Sequence, residues 1–502
     1  MSGIFGVVFP KKENCIQVLF RGTDYNSHMG NQHAGLTIFN QNGEWKRANH
    51  SIQDAPFKTK FNRYLTDLDY QGDLGIGVIS DFDVQPLVIS TRFGPIAIAF
   101  NGWVQNLHEL VEKYIANGHS FILMGQDPDV RERERIYSVA LLATLINEGK
   151  TLEKGIQHIW DVIQGSASML VLTPDGIISA RDRYGRTPVV IGYNEEIKSW
   201  AITSETCSFF NLKYKIIKYL DPGEIVCVSL SGVQYLCKGN CTFCKLCAFL
   251  YIYSSNPASA PVKGIEVAPV RIECGKNLAK LVQGIMADLV FGIPDSGVFH
   301  GYGFAQESGL PYIEADIKYE TYGRSFISNE AIRKLVVDYK LIPIISLIIG
   351  KHLVMTDDSV VRGTQLGDLI WILLEVIKAL SIHLAIACPP LLRPCPYIYS
   401  TRKRRELAAR RAIRDIEGRD IEDIAVYLDP DSSQFKQMVE RIKWNILTYG
   451  REDVSEEKVR ELMARFSLQY QLLGDMVEAI GLPEEQLCLY CWTGEAHPSI
   501  ST

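Results

Sequence analysis

The sequence has no low-complexity tract, no long uninterrupted apolar run and no excess of basic charge. The first absence, beside 47% hydrophobic and 22% charged residues, excludes a disordered or fibrous chain. The second argues against a membrane span. The most apolar stretch, Leu366 to Ala387, is broken by Asp368, Glu375, Lys378 and His383, and reads as a buried helix followed by a strand. The third, a formal net charge of -6, leaves no electrostatic footprint for nucleic acid. The local basic run Arg402-Lys403-Arg404-Arg405 with Arg410-Arg411 is followed at once by Asp415, Glu417, Asp420 and Glu422, so it reads as a solvated helix face. The start, Met1-Ser2-Gly3-Ile4-Phe5-Gly6, lacks the basic and apolar regions of a signal peptide. The expectation is a soluble cytoplasmic protein with neither membrane nor nucleic acid as partner.

At 502 residues the chain is too long for one ordinary core, so at least two substantial domains are expected. Residues 1–236 hold short β-like runs, among them Ile4–Phe9, Ala34–Asn40, Pro95–Phe100, Ser168–Leu172 and Ile225–Leu230, separated by Gly, Asp and Asn turns. Helical pattern falls at Val104–Asn117 and Ile136–Glu148, which together predicts an α+β layered domain. Residues 237–270 form a cysteine-rich linker. Residues 271–400 alternate helix and strand in the manner of an open α/β sheet: a helix over Asn277–Leu289, a strand ending at Phe291–Ile293, a helix over Gly301–Ser308 and a strand over Lys351–Met355. Residues 401–502 read as a charged helical segment.

Cysteine is plentiful, with 12 residues. Without an export signal these are poor disulfide candidates, and their clustering points to metal. Cys237, Cys241, Cys244 and Cys247 crowd the linker, and Cys488 and Cys491 stand near the end. Cys15, Cys207, Cys227 and Cys274 read as buried small hydrophobes.

The most informative string is Asp357-Asp358-Ser359-Val360-Val361-Arg362-Gly363-Thr364, entered from an apolar strand and leading into a helix. The backbone N–H groups of such a loop suit a phosphate, and adjacent carboxylates suit ribose hydroxyls and a hydrated Mg2+. The Asp-Asp pair alone is more often an acidic helix cap; the whole string outweighs that reading. Upstream lies Pro294-Asp295-Ser296-Gly297, then Gly301-x-Gly303-x-Ala305 and Ser308-Gly309-Leu310-Pro311-Tyr312. By itself Pro-Asp-Ser-Gly is a common turn.

In this order the two loops resemble the pyrophosphate and ribose-phosphate loops of type I phosphoribosyltransferases, and within them the amidophosphoribosyltransferase family. The resemblance implies that Asp295, Ser296, Gly297, Asp357, Asp358, Ser359, Arg362, Gly363 and Thr364 bind phosphoribosyl pyrophosphate. It further implies Mg2+ at Ser296, Asp357 and Asp358, with Arg324 and Lys351 supplying positive charge. One element departs from the family. Its mobile lid survives as Lys318, Gly323 and Arg324, but the lid arginine is Glu320 here. A carboxylate facing pyrophosphate repels it.

The first half resembles the family's class II, N-terminal-nucleophile glutamine amidotransferase domain. The matching residues are Gly3 to Val7, Arg21-Gly22, His33 to Leu36, Gly75-Ile76-Gly77, Gln85-Pro86, Asn101-Gly102, Arg181-Asp182, Ser204 to Cys207 and Asp221 to Glu224. The resemblance implies a four-layer αββα fold ahead of the α/β phosphoribosyltransferase domain. In that family a free N-terminal cysteine attacks the glutamine amide, with its own α-amine as base. This chain has Ser2, a weaker nucleophile. The family segment carrying the glutamine-clamping arginine is missing between Gly77 and Gln85. Asn101 and Gly102 match the oxyanion hole, now followed by Trp103, and Asp127 matches the aspartate that holds the substrate amine. Ser2 admits three readings: an engineered exchange, a working serine nucleophile, or a decayed site. Several losses in one place favour decay, with ammonia in place of glutamine.

Some members of the family hold a [4Fe-4S] cluster. The resemblance places its ligands at Cys247, in Cys-Ala-Phe-Leu-Tyr-Ile-Tyr253, at Cys395, behind Pro389-Pro390, and at Cys488 and Cys491. Tetrahedral sulfur suits zinc equally, and both stay open. Cys237, Cys241 and Cys244 exceed the family pattern. The expected activity is transfer of an amine to C1 of the ribose, the first step of purine synthesis, by a homo- or hetero-oligomer. The rival is a non-catalytic paralogue that assembles with an active enzyme and regulates it.

Overall fold

The computed structural model describes residues 1–127, 130–240, 244–282, 284–318, 341–400, 403–451 and 453–495, without the side chains of 124–135.

The first half is built on two antiparallel sheets. The seven-stranded one runs, edge to edge, Lys215–Tyr219, Val190–Asn194, Ser199–Thr203, Ser2–Val8, Leu74–Ser80, His33–Phe39 and Trp45–Ser51. The six-stranded one runs Gly232–Cys237, Ile225–Ser229, Gly176–Ala180, Gly165–Thr173, Gly94–Val104 and Leu87–Thr91. The central strand Ser2–Val8 is buried along its whole length, which explains why it shows no polar alternation. One face meets the second sheet: Ile4, Val8, Ile76 and Val78 pack on Ala97, Ala99, Leu170 and Leu172. The other meets the helix Ile16–Asp24 through Phe5, Ile16 and Leu19. Helices Ser138–Glu148 and Leu152–Val162 cover the far side of the second sheet through Leu142, Leu145, Ile156 and Ile159. The result is the expected αββα layering. Each fully buried side chain of this kind contributes about 1.5–3 kcal/mol.

The second half is an α/β domain on a parallel sheet ordered Leu289–Gly292, His352–Asp357, Ser381–Ile386 and Phe466–Tyr470. Two expectations change here. The helix placed at Asn277–Leu289 runs instead over Val267–Leu281, starting inside the expected linker, and Leu289 begins a strand. Pairing decides this: Leu289 stands opposite Leu353 in the parallel ladder. The tail after residue 401 is not helical throughout. Phe466–Tyr470 joins the parallel sheet, with Phe466, Leu468 and Tyr470 buried, and Leu487–Cys488 pairs with Leu246–Cys247 of the linker region. The tail therefore completes the sheet domain and returns to the boundary between the halves. No helix among the described residues is long and apolar enough to cross a membrane.

Candidate functional site

All three groups of candidate residues depend on backbone placement. In the parallel sheet, the strand Leu289–Gly292 leads through Pro294-Asp295-Ser296-Gly297 into the helix Val298–Ser308. Its neighbour His352–Asp357 leads through Asp358–Gly363 into the helix Thr364–Trp371. Both loops thus leave the carboxyl ends of adjacent strands, where α/β sheets bind their ligands. They also touch. Ser296 Oγ donates to Asp357 Oδ1 at 3.1 Å, and Thr356 Oγ1 donates to the carbonyl of Gly297 at 2.9 Å. Gly297 is required by this approach, since a Cβ there would lie 2.1 Å from the Thr356 carbonyl oxygen. Gly363 takes φ 74° as the cap of the helix that follows, a conformation that costs other residues about 1–2 kcal/mol.

The two aspartates share this rim. The Asp358 N–H donates to Asp357 Oδ1 at 2.9 Å, and Ser359 Oγ donates to Asp358 Oδ2 at 2.5 Å. Burial first, then the neighbouring Asp358 charge, pushes Asp357 well above the ordinary carboxylate range. Burial likewise raises Asp358, against the pull of Arg271. Two crowded carboxylates and a serine hydroxyl are a hard oxygen set short of positive charge. That donor chemistry fits Mg2+, which would relieve their repulsion.

Other candidates stand apart. Asp295 is exposed and ion-paired with Lys318. Arg362 is engaged by Glu406 at 2.5 Å, while its carbonyl accepts from Arg411. Lys351 does not reach the loops. It precedes the strand whose far end carries Asp357, about 20 Å away at ~3.3 Å per residue, and faces Asp288 at 3.6 Å. The strand was read correctly, but its direction puts this lysine at the wrong end. Arg324 and Glu320 lie outside the described residues, as do Cys241 and the side chain of Asp127.

In the first half, Ser2 is wholly buried. Its N–H donates to Asn101 Oδ1 at 3.1 Å, and its Oγ donates to Ser80 Oγ at 3.1 Å. Gln85 Nε2 donates to Ser2 Oγ at 3.3 Å and to the Phe100 carbonyl at 3.1 Å. No carboxylate, imidazole or amine hydrogen-bonds this hydroxyl in these contacts. The Met1 ammonium lies 3.0 Å from Asp81 Oδ2 and 3.2 Å from the Tyr399 carbonyl oxygen.

The segment between Gly77 and Gln85 is held by its own contacts. Asp81 accepts the Asn31 N–H at 2.9 Å, and Asp83 accepts that of Ser138 at 2.9 Å. Between them Phe82 packs on Phe100, Trp103 and Tyr399, with ring centroids 5.3–5.6 Å apart. Tyr399, which comes from the second half, also packs on Trp103 at 5.2 Å. Asn101 Nδ2 is buried without a partner, and Gly102 has φ 154° between the sheet strands. The Asn101 NH2 is thus left as an unpaired donor close to Ser2, the kind of group that can stabilise an oxyanion. Sequence reading missed Phe82 and Tyr399, because nothing local links residues so far apart.

The four candidate cluster cysteines converge at the boundary of the halves. Cys247 and Cys488 are register partners in the short parallel pair. The neighbouring Cys395 and Cys491 thiols influence each other, holding Cys395 down at about 7 and pushing Cys491 up. Burial, then the nearby Cys488 and Cys395, raises Cys247. Among the described residues no group of three or more His, Cys, Asp or Glu side chains stands in ligand geometry. The donor set itself, soft sulfur drawn from three segments, fits a cluster or zinc. Cys237 and Cys244 do not enter this mutual contact; Cys237 accepts from Gln157 Nε2 at 3.0 Å.

Comparison with known proteins gives a consistent result. The glutamine amidotransferase domain family matches residues 73–211. An amidophosphoribosyltransferase of Methanocaldococcus jannaschii is 30% identical over 99% of this chain and 97% of its own. One from Synechocystis sp. is 31% identical over 86% of each chain. Among solved structures, the glutamine phosphoribosylpyrophosphate amidotransferase from B. subtilis complexed with ADP and GMP superposes with a TM-score of 0.75 at 25% identity, covering 98% of this chain and 96% of that one.

Proposed function

The chain belongs to the amidophosphoribosyltransferase family, and from that premise we propose that it forms 5-phosphoribosylamine from phosphoribosyl pyrophosphate and ammonia, with its own glutaminase silent. The observation that carries this reading is the contact of Ser296 with Asp357 at 3.1 Å, which joins the two loops into one phosphate-and-ribose cradle at the strand ends.

In this reading the amides of Ser359–Gly363 and the start of the Thr364–Trp371 helix hold the 5′-phosphate. Asp357 and Asp358 bind the ribose hydroxyls and favour the positive charge that develops at C1. The ammonia lone pair forms the C1–N bond while the C1–O bond breaks and its electron pair leaves with pyrophosphate. The surplus proton passes to solvent. Ser296, Asp357 and Asp358 would hold Mg2+, which when bound neutralises the leaving pyrophosphate. Cys247, Cys395, Cys488 and Cys491 would hold a metal centre that ties the tail to the linker, a structural and not a chemical role.

The loss of glutamine use is supported by the Ser2 environment, where the hydroxyl meets Ser80 and Gln85 and where Phe82, Trp103 and Tyr399 crowd nearby. The test is consumption of phosphoribosyl pyrophosphate by the purified chain, first with ammonium and then with glutamine. Turnover with ammonium alone is expected. Equal turnover with glutamine, abolished by Ser2→Ala, would refute the silent-glutaminase reading. The same crowding, with Glu320 in the lid, favours a second reading: a non-catalytic subunit that assembles with an active member of the family. It predicts no turnover with either nitrogen source.

A further inference from the structure

Arg186 is a charged side chain with almost no water contact, only 1% exposed, and neither its Nε nor its Nη1 has a hydrogen-bond partner. A buried guanidinium left this way is costly unless something anionic completes it. Asp182 is the one carboxylate paired with it, at 3.6 Å from Nη1, beyond hydrogen-bond reach. Asp182 is already occupied, accepting the backbone N–H of Arg186 at 2.7 Å and that of Tyr184 at 3.0 Å.

The rest of its surroundings belong to the cysteines. The Arg186 carbonyl accepts the Cys247 N–H at 3.1 Å. Its positive charge lies close enough to act on both Cys488 and Cys395. The guanidinium lies 3.6 Å from the ring centre of Tyr397, two residues beyond Cys395, and 4.6 Å from that of Tyr184. One residue of the first half therefore touches two of the three segments that bring the thiols together and acts by its charge on the third.

We propose that Arg186 is the positioning and charge-compensating residue of a four-thiolate metal centre at Cys247, Cys395, Cys488 and Cys491. The inference rests on the reading of those cysteines as one centre. Four thiolates around a [4Fe-4S] core or a zinc ion form a dianion, which is stable away from water only with positive charge beside it. The guanidinium supplies a fixed charge that cannot be lost by deprotonation, and its two open N–H groups suit sulfur acceptors. The two aromatic rings hold its plane in place. Because Arg186 lies in the first half and three of the ligands in the second, the centre also fastens the halves together.

The test compares wild-type protein with Arg186→Gln and Arg186→Lys after anaerobic reconstitution with iron and sulfide, and separately with zinc. Bound metal is counted by elemental analysis and its release to EDTA is timed; folding is checked by far-UV circular dichroism. Arg186→Gln should release metal about 10–100-fold faster, the range typical of lost outer-shell partners, with Arg186→Lys between the two. An iron–sulfur form should also be harder to reduce once the positive charge is removed, so the Arg186→Gln midpoint potential should fall below that of wild type. Should Arg186→Gln not fold, Tyr397→Leu, which keeps the charge but removes the ring under it, should show a smaller acceleration. Identical release rates and potentials in metal-loaded wild type and Arg186→Gln would overturn the role of Arg186 while leaving the centre standing. A wild-type chain that takes up neither metal would overturn the centre itself, and this inference with it.

Discussion

The backbone N–H of Ser2 donates to Oδ1 of Asn101 at 3.1 Å, so the asparagine turns its carbonyl to the serine and leaves its NH2 buried without a partner. On the proposed reading, the donor that an oxyanion needs is thus retained beside a weaker nucleophile. This asymmetry makes the glutaminase half separable by mutation from the phosphoribosyl half.

Restoring the thiol should not restore glutaminase. Ser2→Cys supplies a better nucleophile, but the clamp is still missing and Phe82, Trp103 and Tyr399 still pack beside it. Glutamate release from glutamine should stay at the no-enzyme blank. Release that appears with this single change would show that the pocket still binds glutamine.

Asp358→Asn should leave the fold intact and cut the ammonia-dependent consumption of phosphoribosyl pyrophosphate by roughly 10²–10³-fold, the scale of a lost electrostatic contact to developing charge. Because burial holds both Asp357 and Asp358 above the ordinary carboxylate range, the free protein should bind Mg2+ more weakly as pH falls. Mg2+ titration by calorimetry at several pH values checks this; affinity independent of pH would count against the site.

Gly363→Ala should weaken phosphoribosyl pyrophosphate binding while altering melting modestly. The position needs φ 74°, and an added Cβ would sit 3.2 Å from Ile446 Cγ1. The strain is about 1–2 kcal/mol. A raised KM with little change in kcat is expected from steady-state kinetics.

Asp316 is 3% exposed and burial pushes its carboxyl up to about 7 from 3.8. The folded chain therefore holds this proton more tightly than the unfolded chain does. The contribution to stability is complete below about pH 4 and is lost as pH rises toward about 7. Asp316→Asn should match wild type near pH 4 and exceed it at pH 8, because the amide cannot take on the charge that burial penalises. Denaturant unfolding at the two pH values measures it.

The loops at Asp295–Gly297 and Asp357–Thr364 were legible in the sequence because each is a contiguous string whose local chemistry suffices: turn residues, paired carboxylates and a helix start. The same holds for the αββα half, whose motifs lie along strands that pair in a regular order. The exchange of sulfur for oxygen at residue 2 was equally legible, being a matter of one atom type.

What only the tertiary structure decided involves residues far apart in the chain. Strand direction removed Lys351 from the site, and sheet pairing drew Phe466–Tyr470 out of a charged tail. Packing between the halves put Tyr399 on Phe82 and the Arg186 guanidinium beside Cys488. The physical reason is common to all of them. Local strings encode turn and loop chemistry directly, whereas burial and charge pairing are set by neighbours that the chain acquires only when its two halves meet.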